Sequence, residues 1–154
     1  MKKILSILIA IAICFLVGFI ASQFQSEAIE SWYPYLNKSL LNPPNSVFPV
    51  AWSIIYVMMG ISIGLIYASD NENKKYFINI FLIQLFLNFM WSISFFYFQS
   101  PLIGLINILL LAWMIIYYIV RTFNTATVSS LLFVPYLLWV CFATYLNLYI
   151  LMNN

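Results

Sequence analysis

The sequence contains no histidine, and this absence excludes several kinds of chemistry. Histidine is the commonest general base, the commonest metal ligand and a usual axial ligand of haem iron. Hydrolytic triads and histidine-ligated haem are therefore excluded. The two cysteines, Cys14 and Cys141, lie in separate apolar segments without C-x-x-C spacing. We therefore expect no metal site and no intrinsic cofactor.

Charge and glycine are also scarce. Only 6% of the 154 residues are charged, whereas 65% are hydrophobic and the mean hydropathy is +1.00, which indicates a membrane protein surrounded by lipid. The net charge of +2 is too small and too scattered to suggest a nucleic acid partner. The four glycines are dispersed, so they form no phosphate-binding loop. All ten charged residues lie in the termini and loops and none lies inside a span, which argues against a proton-driven pump.

The apolar residues form five runs, each long enough to cross about 30 Å of hydrocarbon as a helix. They predict an all-α membrane protein, a bundle of five transmembrane helices in which residues 1–154 form a single domain. An alternative for the first run is a cleaved signal peptide ending near Ala21, but the run is long for one. The predicted spans are residues 4–23, 47–68, 76–98, 102–121 and 128–152.

Basic residues are distributed unequally between the two ends of this bundle. One end holds five of them and the other holds only Lys38, so the positive-inside rule places the N-terminus in the cytoplasm and the C-terminus outside. The residues at the cytoplasmic end are Lys2, Lys3, Lys74, Lys75 and Arg121.

The segment between the first two spans, about residues 26–46, is polar and broken by proline. Pro34, Pro43 and Pro44 have a fixed φ and no backbone donor, so residues 33–44 cannot continue a helix. We expect a stiff, extended and turned cover on the outer side of the bundle.

Tryptophan and its neighbours recur at helical spacing beneath this cover. On the predicted second, third and fifth helices, aromatic residues share a face with polar or small ones. These three stripes can converge on one aromatic pocket in the outer half of the bundle. They are Trp52, Tyr56, Met59 and Ile63; Gln84, Asn88, Trp91 and Phe95; and Trp139, Ala143 and Leu146.

Each of these residues also has a structural interpretation. Tryptophan collects at membrane interfaces, and this is the favoured interpretation of Trp32 and Trp113. For Trp52, Trp91 and Trp139 the residues alone leave pocket and packing equally open.

Polar and small residues in the spans leave similar alternatives. We expect Gln84 to hydrogen-bond across helices, whereas Asn88 could orient a ligand carbonyl or carboxylate. Ala143 either leaves room for a flat ligand beside Trp139 or permits close helix packing. Gly60 and Gly64, in G-x-x-x-G spacing, serve either a homodimer contact or packing within one chain.

Several motifs in this order resemble the signature of the TspO/MBR family. These are the tryptophan-rich sensory proteins, whose eukaryotic members are translocator proteins or peripheral benzodiazepine receptors. The motifs are WY-x-x-L-x-K from Trp32, NPPN-x-VFP from Asn42, W-x-x-x-Y from Trp52, QLFLNFMW from Gln84 and PYLLWVCFATYLN from Pro135.

The resemblance implies a bacterial cell-membrane protein that binds protoporphyrin or a related tetrapyrrole, binds benzodiazepine-site ligands and is often dimeric. It favours the pocket interpretation, with a lid of Trp32, Pro43, Pro44 and Phe48. The implied ligand-binding residues below the lid are Trp52, Tyr56, Asn88, Trp91, Trp139, Ala143 and Leu146.

Whether the implied protein is an enzyme stays open. The spans contain no conventional acid, base or nucleophile. Any reaction would therefore depend on Trp52 and Trp139, as redox-active residues of the pocket wall, in light- and oxygen-dependent porphyrin breakdown. The alternative is a non-catalytic carrier or sensor for porphyrins or other flat hydrophobic ligands.

Overall fold

Apolar runs bounded by proline and polar turns fold into helices throughout the computed structural model, which describes residues 2–154. The described residues contain no β-strand. A short 3₁₀ turn at Tyr33–Tyr35 and a π-helical turn at Ile93–Tyr97 are the irregular helical elements. The α-helices are α1 Lys2–Gln23, α2 Ser26–Ser31, α3 Val47–Tyr67, α4 Lys74–Ser92, α5 Pro101–Thr122, α6 Thr127–Leu131 and α7 Val134–Asn153.

Five helical segments are long and apolar enough to cross a membrane, so the predicted five-helix bundle is confirmed. The chain is an integral, multi-pass membrane protein. Each segment begins and ends within a few residues of its prediction. The segments are Lys2–Gln23, Val47–Tyr67, Lys74–Tyr97, Pro101–Thr122 and Thr127–Asn153.

Three details differ from the continuous helices and the loop predicted from the sequence. The fifth segment is interrupted at residues 132–133, because Pro135 has no N–H to donate to the carbonyl of Leu131. The third segment ends in a π turn, in which the N–H of Phe98 donates to the carbonyl of Ile93 at 3.0 Å. The predicted cover loop begins with a helix, α2, and only the residues after it carry the prolines.

The packing of α1 against α3 depends on two glycines. A Cβ on Gly60 would lie 2.5 Å from the Cα of Ile11, and one on Gly64 would lie 2.6 Å from the Cα of Ile7. The two backbones therefore touch where side chains are missing. The G-x-x-x-G strip is occupied by α1 of the same chain, so our suggestion that it forms a dimer contact is wrong.

The two ends of the bundle are packed differently. We call the end beneath residues 24–46 the open half, and the end near residues 68–73 and 123–126 the closed half. In the closed half, the hydroxyls of Ser62 and Tyr118 are 2.8 Å apart, and Ser62 also donates to the carbonyl of Ser129 at 2.8 Å. The hydroxyl of Ser129 donates back to the carbonyl of Ser62 at 2.9 Å. These buried polar groups satisfy one another's hydrogen-bonding capacity.

One buried polar side chain between the two halves departs from our expectation. The amide of Gln84 is fully buried, and neither its oxygen nor its nitrogen has a hydrogen-bond partner within residues 2–154. The predicted hydrogen bond from Gln84 across helices is therefore wrong.

Candidate ligand-binding site

The open half contains a cavity of about 450 Å³. This volume is within the range of small-molecule binding sites, roughly 300 to 1,000 Å³. Its walls come from α1, α3, the end of α4 with its π turn, and α7, and its roof comes from the two ends of the cover, α2 with Tyr33 and Asn45. The lining is Phe15, Gly18, Phe19, Ser22, Gln25, Ile29, Tyr33, Asn45, Phe48, Pro49, Trp52, Ser53, Tyr56, Trp91, Phe95, Phe96, Ala143, Leu146, Asn147 and Ile150.

One wall of the cavity is a continuous series of aromatic rings from α3 to the end of α4. Trp52 stacks on Tyr56, one turn along α3, with ring centres 5.9 Å apart and planes at 29°. Trp52 meets Trp91 of α4 at 6.5 Å, and Trp91 stacks on Phe95 at 5.5 Å and 14°. The i, i+4 spacing on both helices places these rings on one face. We call these four residues the aromatic wall.

A hydrogen-bond network behind the aromatic wall fixes its lower end. Tyr56 donates to the amide oxygen of Asn88 at 3.2 Å, and the amide nitrogen of Asn88 donates to the hydroxyl of Tyr136 at 2.9 Å. Both ends of this amide are engaged, and Asn88 is nearly fully buried. In this structure Asn88 holds the Tyr56 ring and does not itself line the cavity.

A second wall of the cavity is the face of α7 that carries Ala143 and Asn147. The small side chain of Ala143 leaves space in front of it. The amide nitrogen of Asn147 donates to the carbonyl of Pro101 at 2.7 Å. Its oxygen is buried with no partner in residues 2–154, and the same is true of the indole nitrogens of Trp91 and Trp139. Unpaired buried groups of this kind cost about 1–3 kcal/mol each.

The roof is held by polar contacts within the cover and to α4. Gln25 donates from its amide nitrogen to the hydroxyl of Ser92, and Tyr33 donates to the amide oxygen of Asn42 at 2.9 Å. Burial raises the pKa of Tyr33 above its ordinary value, although the hydrogen bond with Asn42 acts in the opposite direction. Tyr33 therefore stays a neutral donor at physiological pH. The ammonium of Lys38 lies 4.6 Å from the centre of the Tyr33 ring, on which it packs.

The middle of the cover is tied to the end of α7 by a set of hydrogen bonds that we call the latch. The backbone N–H of Asn37 donates to the side-chain oxygen of Asn154 at 2.8 Å. The side chain of Asn37 donates to the carbonyl of Asn153 at 2.9 Å. The hydroxyls of Ser39 and Tyr145 are 2.9 Å apart. The latch joins segments more than 100 residues apart in the chain.

The cavity is open on the side where α1 faces the start of α3. Phe15 and Phe19 are 38% and 65% exposed, and Pro49 and Ser53 of α3 are exposed beside them. In a membrane this opening faces lipid rather than water, because both helices span the hydrocarbon.

The structure brings part of the predicted site together around this cavity. Phe48, Trp52, Tyr56, Trp91, Ala143 and Leu146 contribute to the lining. The other predicted residues lie outside it. Trp32 packs edge-on against Phe95 at 5.5 Å, and Trp139 packs edge-on against Phe48 at 5.9 Å, so each is separated from the cavity by one ring.

The two lid prolines also lie outside the lining. Pro43 and Pro44 form the turn that leads into α3, where the carbonyl of Pro44 accepts from the N–H of Val47 at 2.9 Å. Their part in the cavity is indirect, because they set the direction from which Phe48 enters.

The contribution of α1 and α2 to the lining was not predicted from the sequence. The sequence did contain a signal for α1, because small residues, including Gly18 and Ser22, recur at every fourth position of that helix. A Cβ on Gly18 would overlap the ring of Tyr56, so this glycine lets α1 approach the aromatic wall. Gln25 and Ile29 had no comparable signal, because α2 lies within a segment predicted to be loop.

The chemistry available in the cavity is limited to a few groups. The lining offers indole, phenol, amide and hydroxyl groups and contains no charged side chain and no thiol. Within residues 2–154 no three histidine, cysteine or acidic side chains are placed to hold a metal ion. Such a cavity suits a flat, mostly apolar molecule that stacks on the aromatic wall.

A sequence model of the TspO/MBR family matches residues 10–152. The chain belongs to the TspO/MBR family. It is 39% identical to the tryptophan-rich protein TspO of Chlorobaculum tepidum, over 99% of this chain and 98% of that protein. It is 37% identical to the protein of the same name from Archaeoglobus fulgidus, over 100% and 97% of the two chains. It is 35% identical to protein CrtK of Rhodobacter capsulatus, over 76% and 74%. The resemblance inferred from the motifs is confirmed.

Proposed function

We propose that the cavity of this TspO/MBR protein binds protoporphyrin or a related tetrapyrrole as a ligand or substrate. The observation that carries the proposal is the aromatic wall along one side of an uncharged cavity of about 450 Å³. A macrocycle offers two flat π faces, which match stacked or edge-on rings. Membership of the TspO/MBR family supports the same ligand class and, with it, flat benzodiazepine-site ligands.

The absence of charge in the lining sets the orientation of a porphyrin. Burying a carboxylate without a partner is costly, so the acidic edge of the ligand stays at the mouth or the roof. Neutral hydrogen-bonding groups are available there on Ser22, Gln25 and Asn45. The apolar edge then enters towards Ala143 and the aromatic wall.

For a photochemical reaction, Trp52 is the better placed of the two predicted tryptophans, since it lines the cavity directly. Trp52 would give one electron to the photoexcited macrocycle, and dioxygen would take that electron from the reduced macrocycle as superoxide. The indole radical would then recover its electron from the porphyrin, which leaves the porphyrin oxidised and dioxygen reduced by one electron each. Trp139 packs against Phe48, which lines the cavity, so its contribution would be a relay.

The second candidate function is a non-catalytic carrier or sensor that sequesters the porphyrin. It is supported by a lining in which no described residue is an ionised acid, a basic side chain or a thiol nucleophile. Binding is common to both functions, and only turnover separates them.

Illumination of purified protein with protoporphyrin separates the two functions. We expect a defined new pigment with the parent protein. Trp52→Phe should change affinity by no more than about fivefold, the equivalent of roughly 1 kcal/mol for one hydrogen bond, but should slow product formation much further. The control is Trp113→Phe, since Trp113 is exposed and lies far from the cavity. If illumination only bleaches the porphyrin, and does so at the same rate in all three proteins, the function is that of a carrier or sensor.

We also propose a bacterial cell-membrane location with the N-terminus in the cytoplasm and the cover outside, on the basic-residue asymmetry described above. In a Cys141→Ser background, Asn37→Cys should react with an impermeant thiol reagent on intact cells and Asn73→Cys should not. The reverse pattern would refute this orientation. A homodimer remains a prediction, and its surface is not the Gly60 and Gly64 strip.

A further inference from the structure

A cluster at the closed end, outside the cavity, combines a cation with two aromatic hydroxyls. Tyr76, in the first turn of α4, and Tyr117 of α5 meet hydroxyl to hydroxyl at 2.6 Å. The guanidinium carbon of Arg121, in the last turn of α5, lies 5.2 Å from the Tyr117 ring centre and 5.9 Å from that of Tyr76. We call these three residues the tyrosine–arginine cluster. Its position brings together the end of one span and the start of another.

The tyrosine–arginine cluster has more hydrogen-bond donors than acceptors. One of the two phenols donates to the other, so the proton of the accepting phenol is free for a further partner. Arg121 has five N–H donors, and among residues 2–154 its close polar neighbours are these two phenols, with no carboxylate paired to it. By contrast, the ammonium of Lys74 at the same end is engaged by the carbonyls of Tyr67 and Ser69. An anionic oxygen is the acceptor that the cluster lacks.

The face of α5 below the cluster is apolar and exposed. Trp113, Tyr117 and Arg121 are four residues apart and share this face, spanning about 12 Å along the helix. Trp113 is 60% exposed and stacks on Tyr117 at 5.8 Å and 19°. Val120 and Ile116 beside them are 63% and 46% exposed. From the membrane surface inwards, the order on this face is a cation, a phenol and an indole, with the aliphatic side chains of Val120 and Ile116 beside them.

We propose that the tyrosine–arginine cluster, with Trp113, is a binding site for an anionic phospholipid in the leaflet at the closed end. Arg121 and the free phenol hold the phosphate, because guanidinium forms paired, charge-assisted hydrogen bonds with phosphate oxygens. The glycerol region and the start of one acyl chain lie along Trp113, an indole at the depth where such rings favour the interface. The apolar track directly below the cluster selects a lipid over a free phosphate ion.

The test is lipid retention by the full chain, measured by native mass spectrometry after delipidation in mild detergent. The probes are dioleoyl phosphatidylglycerol and dioleoyl phosphatidylcholine, which differ in head group and net charge. We expect one phosphatidylglycerol to be retained about tenfold more tightly than phosphatidylcholine. Arg121→Gln should abolish that preference. The matched control, Lys75→Gln, removes one exposed cation from the same end and should keep it.

Equal retention of the two lipids by the parent protein would overturn the proposal. Equal loss of preference in Arg121→Gln and Lys75→Gln would also overturn it, since that result indicates general surface charge. If Arg121→Gln fails to give helical protein by circular dichroism, Tyr117→Phe keeps the ring and removes one hydroxyl, and it should reduce the preference several-fold. An unchanged preference in Tyr117→Phe would then contradict the site. Displacement of the bound lipid by millimolar inorganic phosphate would identify a phosphate-ion site instead and refute the lipid.

Discussion

The open and closed halves of the bundle use polar residues in opposite ways. In the closed half Ser62, Tyr118 and Ser129 satisfy one another at 2.8–2.9 Å in a packed interior. In the open half the amide oxygen of Asn147 and the indole nitrogen of Trp91 are buried around a cavity of about 450 Å³ and have no partner among residues 2–154. The polar groups of the closed half therefore stabilise the fold through their hydrogen bonds. Those of the open half lack such bonds and are available as hydrogen-bond partners for a bound molecule.

We expect the largest loss of stability from disrupting the contact between α1 and α3. Gly60→Leu puts a side chain where a Cβ already lies 2.5 Å from the Cα of Ile11, so the helices must separate. Overpacking costs about 1–3 kcal/mol and more where backbone must move. We expect the thermal unfolding midpoint in mild detergent to fall sharply, whereas Val57→Leu, at an exposed position of α3, should leave it unchanged. A stable Gly60→Leu monomer or dimer would show that the α1–α3 contact is not needed for the fold.

We expect a smaller loss of stability from removing a hydrogen bond in the closed half. Ser62→Ala removes the acceptor of the Tyr118 hydroxyl and the donor to the Ser129 carbonyl, and leaves both groups buried. We expect a loss of about 1–3 kcal/mol in the free energy of unfolding, with porphyrin affinity unchanged. Ser53→Ala is the matched control for stability, because the Ser53 hydroxyl is exposed and, among residues 2–154, donates to the carbonyl of Pro49 within its own helix. Equal destabilisation by the two variants would contradict the contrast between the halves.

The smallest effect concerns the latch. Asn154→Ala removes the oxygen that accepts from the backbone of Asn37 and should cost about 1 kcal/mol or less. Amides of residues 36–42 should then exchange with solvent up to about fivefold faster, as read by hydrogen–deuterium exchange. Asn153→Ala retains the backbone carbonyl that the side chain of Asn37 uses, so the same amides should keep their protection. Identical exchange in both variants would show that the latch does not hold the cover.

The sequence predicted the spans well because each is an apolar run of sufficient length, bounded by polar or proline-containing turns. It also predicted that Trp52 with Tyr56, and Trp91 with Phe95, share helix faces, since i, i+4 spacing needs no tertiary information. The part of the cavity wall that α1 supplies was harder to predict, because nearly every residue of that helix is apolar and its small residues at every fourth position also fit ordinary helix packing.

Other features depend on contacts that local sequence does not encode. The π turn at Ile93–Tyr97 shifts the end of α4 by one residue, and the latch joins Asn37 to Asn154 across nearly the whole chain. Asn88 was expected to face a ligand, but whether it contacts the ligand or holds Tyr56 depends on where Tyr136 lies. The position of Tyr136 is set by the packing of α7 and not by its neighbours in sequence.

Whether a flat ligand occupies the cavity beneath the cover can be measured by titrating protoporphyrin into the parent protein and into Ala143→Phe. The new ring would enter the cavity that Ala143 lines. We expect saturable quenching of tryptophan fluorescence in the parent, with affinity at least about tenfold weaker in Ala143→Phe. Leu138→Phe adds an aromatic ring to an exposed position of α7 and should bind as the parent does. Binding by Ala143→Phe that matches the parent would place the ligand outside this cavity.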